Sequence, residues 1–131
     1  MRFVDTSFFI ALQVSRDDHH GPAVALWSET SDRLVTTTHV IGETWTTLRR
    51  RVGHNAAAAF YRGATSEARL KVAFVDPDDE LDAWRWLLRH DEREYSFVDA
   101  TSFAFMRSKK IRNALAFDGD FSAAGFIELR P

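Results

Sequence analysis

The sequence predicts an α/β fold in which a mostly parallel central sheet is flanked by helices on both faces. Short runs of apolar and β-branched residues alternate with longer segments whose apolar residues recur at helical spacing. Such alternation is typical of parallel sheets, because every parallel connection needs a crossover, usually a helix. The chain has 131 residues and no repeat or linker-like tract, so we expect a single domain spanning 1–131.

The first half of the chain is predicted to contain two strands and four helices. Thr6 or Ser7 is the expected N-cap of the first helix, and Gly53 is expected to end the third. The predicted elements are, in order, a strand at 2–4, a helix that ends at 12, a helix at 17–30, a strand at 33–36 and helices at 38–52 and 55–65. The third helix carries an apolar stripe of Ile41, Trp45, Leu48 and Val52.

The second half is predicted to contain three strands and two helices. Asp76 and Pro77 begin a helix, since Asp is a favoured cap and Pro a favoured first helical residue. The other elements are a strand at 70–75, a helix at 98–109, a strand at 114–117, an Asp-Gly-Asp turn at 118–120 and a strand at 126–129. The helix after Pro77 has an apolar stripe of Leu81, Trp84, Leu87 and Leu88.

The composition excludes several kinds of site and of protein. The absence of cysteine removes disulfides, thiolate metal sites and cysteine nucleophiles. No apolar run approaches the ~20 residues that span a bilayer, and the N-terminus does not read as a signal peptide. We therefore expect a cytoplasmic protein with no membrane partner.

The net charge of −2 argues against a simple non-specific nucleic-acid binder, which would normally be basic. Basic residues nevertheless cluster at 49–51 and 107–112, whereas the stretch 76–94 is acidic and lowers the mean. A metal ion held by acidic residues also adds positive charge, so the sequence charge understates the local potential of such a site.

Acidic residues stand where the ligand site of a parallel sheet is expected, outside the carboxyl ends of its strands. Asp5, Asp76 and Asp118 follow predicted strands, and Glu43 and Asp99 lie near helix starts on the same edge. Each also has a structural interpretation. Asp5, Asp76 and Asp99 could cap helices. Asp118 could belong to a turn, and Glu43, opposite an apolar stripe, could face solvent.

Asp99 is the most informative of these acids. It heads the helical stripe that continues through Phe103 and Met106. A carboxylate in that position must be hydrogen-bonded, paired or metal-bound, because burying a bare one costs several kcal/mol.

Convergence of Asp5, Glu43, Asp99 and Asp118 would require a cation, since neighbouring carboxylates repel one another. Oxygen donors suit hard divalent ions, here Mg²⁺, for which Mn²⁺ can substitute. Such an ion activates a water molecule and stabilises charge on a phosphodiester. The predicted chemistry is therefore metal-dependent hydrolysis that needs no histidine base, and the histidines at 19, 20, 39 and 54 are interpreted as capping or surface residues.

Four segments together resemble the PIN-domain ribonucleases, in particular the VapC toxins of VapBC toxin–antitoxin modules. They are "FVDTSFFIAL", "VIGETWTTL", "YSFVDATSFAFM" and "ALAFDGDF". Each alone is weakly specific, being one acid in an apolar context, but their order and spacing match the family across essentially the whole chain. The resemblance implies a PIN-like domain, an RNA substrate, a VapB-type antitoxin and a homodimer.

The resemblance also implies that the metal-binding, catalytic acids are Asp5, Glu43, Asp99 and Asp118. Asp118 fits the family's Asp-x-x-Phe pattern with Phe121, and Asp120 is the alternative fourth acid. Small polar residues beside the site, which could contact water or phosphate unless they cap helices locally, are Thr6 and Ser102.

The leading hypothesis is thus a Mg²⁺-dependent endoribonuclease and toxin. Arg50, seven residues after Glu43 on the same helix face, could hold an RNA phosphate, although it could also belong to a solvated helix end. A non-catalytic PIN-like module that binds RNA or protein is the alternative. A haloacid-dehalogenase-type phosphatase is disfavoured, because no second acid follows Asp5 by two residues.

Overall fold

Five short strands form one parallel sheet at the centre of the molecule. The structure is a computed structural model that describes all residues from 1 to 131. The strands are β1 (Arg2–Val4), β2 (Leu34–Thr37), β3 (Leu70–Ala73), β4 (Asn113–Leu115) and β5 (Ile127–Glu128). They lie in the order β3-β2-β1-β4-β5, and all four neighbouring pairs are parallel. The predicted α/β class is therefore confirmed.

Seven helices connect the strands and cover both faces of the sheet. They are α1 (Thr6–Gln13), α2 (His20–Glu29), α3 (Thr38–Arg51), α4 (His54–Ser66), α5 (Pro77–Arg89), α6 (Phe97–Lys109) and α7 (Asp120–Ala123). None of them has the length and apolar character needed to cross a bilayer.

The strand order creates a crevice beside β1. From β1 the chain builds outward through β2 to β3, and then returns to place β4 on the other side of β1. Since parallel crossovers are right-handed, the helices before and after this reversal pack on opposite faces of the sheet. The carboxyl ends of β1 and β4 flank the reversal, which is where ligands bind in folds of this kind.

The α6 helix contains the longest run of buried residues of any helix, and it connects the core to this edge. All its residues from Asp99 to Met106 are buried. The Phe103 ring meets Phe121 edge-on at 4.9 Å between centroids, and Phe121 also contacts Phe3 at 5.9 Å. Because Phe121 directly follows Asp120, this packing anchors the turn after β4 against the middle of α6.

Several predicted boundaries are wrong, and the causes are local. The first helix is capped by Asp5, whose carboxylate accepts a bond from the Ser7 N–H, and not by Thr6 or Ser7. The second helix begins at His20, since the preceding residues form a turn. The third strand ends at Ala73, and the short helix α7 starts inside the predicted turn.

The apolar stripe predicted for α5 does not face the core. Leu81, Trp84 and Leu88 are 52%, 52% and 87% exposed. The helix packs through Ala83 against Ala100 and Ala104 of α6, with Trp86 and Leu87 alongside. Small side chains allow two helix backbones to approach closely, so alanines, and not the larger residues, determine which face of α5 is buried.

Candidate active site

The predicted acids lie around the crevice at the carboxyl edge of the sheet. Asp5 follows β1 directly, and Asp118 comes three residues after the last residue of the adjacent strand β4. Asp99 is in the first turn of α6, which begins at the same edge. Sheet topology thus brings together side chains that are far apart in sequence.

Three carboxylates form the tightest group. One oxygen from each of Asp99, Asp118 and Asp120 lies within 4.8 Å of the other two. Asp118 and Asp120 were alternatives in the sequence, and the structure brings both into the group. The donors are all carboxylate oxygens, with no sulfur or imidazole, which fits a hard divalent cation such as Mg²⁺ or Mn²⁺.

Asp5 lies behind this group and is almost completely buried, at 1% exposure. Its Oδ2 accepts a bond from the Ser7 backbone N–H (3.1 Å) and another from the Ser7 hydroxyl (2.7 Å). The same hydroxyl oxygen accepts a bond from the Phe117 N–H (3.0 Å). Ser7 therefore joins the end of β1 to the segment after β4, a role that the sequence, which offered Ser7 only as a helix cap, did not indicate.

Asp99 both caps its helix and faces the other acids. Its Oδ2 accepts a bond from the Ser96 N–H (3.0 Å), and the Ser96 hydroxyl accepts one from the Asp99 N–H (2.9 Å). This reciprocal pair is a capping box. The sequence interpretation of Asp99 as a helix-capping residue is therefore correct. The capping bonds also hold its carboxylate in a defined orientation beside Asp118 and Asp120.

Glu43 lies on α3 at the margin of the group. It is half-buried, its negative charge acts on Asp99, and it lines the same pocket as Asp118. It is not among the three acids that meet within 4.8 Å. Glu43 therefore lines the crevice without joining the three-acid group.

Asp118 and Asp120 have different partners. The Asp120 Oδ1 pairs with Arg93, at 3.0 Å from Nε and 2.9 Å from Nη2. The Asp118 Oδ1 accepts only a bond from the Asp120 N–H (3.1 Å). Arg93, which sequence reasoning missed, thus neutralises part of the charge on Asp120 and leaves Asp118 as the acid without a cationic partner.

A buried glutamate on β5 holds the turn that carries these two acids. The side chain of Glu128 is only 2% exposed. Its two oxygens accept bonds from the N–H groups of Gly119 (3.3 Å) and Ser122 (3.0 Å), and Arg130 donates to it at 3.2 Å. The sequence did not indicate this role of Glu128, because its contacts depend on how β5 pairs with β4.

We predict that Glu128→Ala weakens Mn²⁺ binding about tenfold, because partners that orient metal ligands typically contribute 10- to 100-fold in affinity. Isothermal titration with Mn²⁺ measures the change. Glu67→Ala is the matched control, since Glu67 also accepts a bond from an arginine two residues later, Arg69, away from the site. Equal Mn²⁺ affinity in the two variants would contradict a positioning role for Glu128.

The electrostatics of the group favour uptake of a proton or a cation. Burial raises the pKa of Asp99 to about 7, and the charges of Asp120, Asp118 and Glu43 contribute to the increase. Burial and the charge of Asp118 raise the pKa of Asp5 well above its ordinary value. Desolvation, together with the charges of Asp120 and Glu128, also raises the pKa of Asp118. The ionised group is therefore costly unless a cation neutralises it.

These shifts predict that the metal-free protein loses stability as the pH rises. Between the ordinary pKa of aspartate and about 7, folded Asp99 binds more protons than unfolded Asp99, so the free energy of unfolding falls with increasing pH. One pKa unit corresponds to roughly 1.4 kcal/mol, so we expect a loss of roughly 2 to 3 kcal/mol from pH 5 to pH 8. Urea unfolding in a chelator measures it.

The control for this pH dependence is Asp99→Asn, which should lose much of the slope because asparagine does not titrate. Millimolar Mn²⁺ should likewise flatten the slope for the unmodified chain. A wild-type slope equal to that of Asp99→Asn would show that Asp99 is not the destabilising group.

The three other residues predicted to contact water or phosphate differ in whether they reach the site. The Thr6 hydroxyl is buried and has no hydrogen-bond partner, and Thr6 lines the pocket beside the acids. The Ser102 hydroxyl instead donates to the Val98 carbonyl within its own helix (2.8 Å). Arg50 is exposed and does not line the pocket, whereas its neighbour Arg51 does.

Comparisons with known proteins identify the family of this chain. The PIN domain family matches residues 2–127. Two sequences named 23S rRNA-specific endonuclease VapC20, from Mycobacterium tuberculosis strains CDC 1551 / Oshkosh and ATCC 25618 / H37Rv, are each 58% identical over 131 residues, 100% of this chain and 99% of theirs. A crystal structure of Mycobacterium tuberculosis VapC20, described as a sarcin-ricin loop cleaving toxin, has a TM-score of 0.95 and 56% identity and covers 100% of both chains. The chain therefore belongs to the PIN-domain family and, within it, to the VapC toxins, which are endoribonucleases.

Proposed function

We propose that this chain hydrolyses RNA phosphodiester bonds with Mg²⁺ as cofactor, and that Mn²⁺ can replace Mg²⁺. The observation that carries the proposal is the meeting of Asp99, Asp118 and Asp120 within 4.8 Å. Such a group is too negative to remain fully ionised without a cation. We assign Asp5, Glu43, Asp99 and Asp118 as the catalytic acids, with Asp120 as an additional ligand.

Each acid has a separate task in this proposal. Asp99, Asp118 and Asp120 would hold the cation, which would activate a water molecule and stabilise charge on the phosphodiester. Asp5 is fixed by Ser7 and supplies negative charge behind the group. Glu43, which lines the adjoining pocket, would orient a water molecule or accept its proton.

We further propose that the substrate is an exposed loop of 23S ribosomal RNA. The support is the full-length identity of 58% to proteins named as 23S rRNA-specific endonucleases. The related crystal structure carries a description as a sarcin-ricin loop cleaving toxin. Single-stranded or looped RNA also suits a crevice that must reach a backbone phosphate, because unpaired nucleotides can be drawn out of a helix.

Protein partners are also part of the proposal. A VapB-type antitoxin would block the site, and a second copy of the chain would form a homodimer in the cytoplasm. The surface offers apolar residues for such contacts. Phe74, Leu81, Trp84 and Leu88 are all more than half exposed, and an apolar groove of 670 Å³ lies between α3, α4 and β3.

Cleavage of a defined RNA tests the proposed function. The purified chain is incubated with a synthetic hairpin carrying the sarcin-ricin loop sequence, in Mg²⁺, in excess EDTA, and in EDTA followed by Mg²⁺. We expect cleavage at one position in Mg²⁺, none in EDTA, and recovery when Mg²⁺ is restored. Cleavage that persists in EDTA would exclude the metal-dependent mechanism, and no cleavage of either the hairpin or total ribosomal RNA would exclude the activity.

A further inference from the structure

A pocket of 370 Å³ adjoins the carboxylate group. It shares Asp118 and Glu43 with the proposed catalytic site, and it extends to residues that have no role in that site. Those residues include an aromatic ring, an arginine and hydroxyl groups: His19, Arg51, Thr6 and Thr47. These groups complement a nucleotide. An aromatic ring can stack on its base, an arginine can pair with its phosphate, and hydroxyl groups can hydrogen-bond to its polar edges.

His19 presents the flat surface of this pocket. Its ring is nearly parallel to that of Phe117, with 4.6 Å between centroids and 9° between planes. Phe117 in turn stacks on the fully buried Phe8 at 5.7 Å and 15°. His19 is thus the outermost of three near-parallel rings that begin in the core, and its side chain is half exposed.

The side chain of His19 does not cap the helix that follows it. His19 occupies the N-cap position of α2, but its side chain forms no capping hydrogen bond. Of the two interpretations of the sequence, capping or surface residue, His19 therefore fits the second. Asp17 instead secures the segment by accepting a bond from the His19 backbone N–H (2.8 Å). The backbone is therefore anchored, and the Asp17 carboxylate also lies 3.7 Å from the ring Nδ1. One face of the ring stacks on Phe117, and no second ring stacks on the other face, which can therefore receive a base.

Residues of α3 and α1 give the pocket charged and polar groups. Arg51 follows Thr47 by one helical turn and Glu43 by two, so all three lie along the same face of α3. Arg51 is exposed at the end of that face. Thr6 is 9% exposed, and its hydroxyl is buried without a hydrogen-bond partner. This is unusual for a buried polar atom and suggests that a ligand atom pairs with it.

From the stacked ring, the arginine and the unpartnered hydroxyl, we infer that this pocket binds the RNA nucleotide next to the scissile phosphate. The base stacks on His19, and Arg51 pairs with the phosphate of the same nucleotide. The inference rests on the proposed function, since it takes RNA as the substrate. It assigns His19 and Arg51 to substrate binding and gives neither a role in the chemical step.

The test combines kinetics with direct binding of the sarcin-ricin hairpin. His19→Ala, His19→Phe and Arg51→Ala are compared with two control variants. His54→Ala is matched to His19→Ala, because His54 also contacts an aromatic ring, Trp45, but lies outside the pocket. Arg50→Ala is matched to Arg51→Ala. Binding is measured in the Asp99→Asn background, so that the hairpin is not cleaved, and thermal unfolding verifies folding.

A stacked base typically contributes enough binding energy for an effect of about 5- to 150-fold. We therefore expect His19→Ala to raise KM and the dissociation constant of the hairpin by about tenfold, with little change in kcat. His19→Phe should restore both to within about threefold, since phenylalanine keeps the stacking surface. Arg51→Ala should weaken binding about tenfold and reduce its salt dependence, whereas Arg50→Ala should not.

Two results would overturn the inference. One is a His19→Ala variant that binds the hairpin as tightly as His54→Ala. The other is a His19→Phe variant as impaired as His19→Ala, because an imidazole nitrogen and not the ring face would then be required. Either result leaves Mg²⁺-dependent cleavage by the unmodified chain intact, whereas failure of the proposed function would appear as absence of that cleavage.

Discussion

Asp99→Asn is expected to lower kcat/KM for RNA cleavage by about a thousandfold without unfolding the protein. The substitution removes one negative ligand from the three-acid group, and loss of several kcal/mol of transition-state stabilisation corresponds to a decrease of this size. Asparagine keeps an amide oxygen that can accept the bond from the Ser96 N–H, so the helix start survives. Cleavage of the hairpin under steady-state conditions measures the loss.

A second buried acid provides the control for this variant. Asp79 is 8% exposed and accepts a bond from the Ser108 hydroxyl (2.9 Å), in a region of α5 and α6 away from the crevice. Asp79→Asn should therefore retain wild-type kcat/KM. Similar activity for Asp99→Asn and Asp79→Asn would mean that Asp99 serves only its capping box.

Asp118→Asn is expected to reduce kcat/KM about a hundredfold, and Asp120→Asn only about tenfold. The difference follows from Arg93, which already neutralises part of the charge on Asp120, whereas Asp118 has no cationic partner. Titration with Mn²⁺ should give the same order, with the weaker binding in Asp118→Asn. If Asp120→Asn were the more impaired variant in both measurements, Asp120 and not Asp118 would be the fourth catalytic acid.

The position of the site could be predicted because it follows from topology. Asp5 and Asp118 follow strands, and parallel strands present their carboxyl ends at one edge whatever the details of packing. Asp99 could be identified as a site residue because it begins a helical stripe of apolar residues that is buried. These signals are local in sequence, and the order of strands and helices is enough to bring their residues together.

The residues that orient the acids could not be predicted in the same way. Arg93 and Asp120 are 27 positions apart, and the N–H of Phe117 reaches the hydroxyl of Ser7 across 110 positions. Such contacts depend on loop paths and on strand register, neither of which a pattern of residue types specifies. The prediction that the apolar stripe of α5 faces the core was wrong for a related reason. Close packing of alanines between α5 and α6 outweighed the burial of the larger side chains, and a pattern of residue types does not show this.

The clustered acids that the proposed activity requires lower the stability of the metal-free fold. Three acids whose pKa values are raised by burial and mutual repulsion destabilise the ionised, metal-free fold. The surrounding contacts from Ser7, Ser96, Arg93 and Glu128 keep these acids in place despite that repulsion. Binding of a divalent cation would relieve it, so metal affinity and fold stability are expected to rise together.

Anomalous diffraction from crystals grown with Mn²⁺ tests the metal site most directly. We expect a strong anomalous peak within bonding distance of the carboxylate oxygens of Asp99 and Asp118, with Asp120 adjacent, and the loss of that peak in crystals of Asp99→Asn. Crystals with no peak among these carboxylates at saturating Mn²⁺, in a protein that still cleaves RNA, would contradict the proposal that these acids hold the catalytic cation.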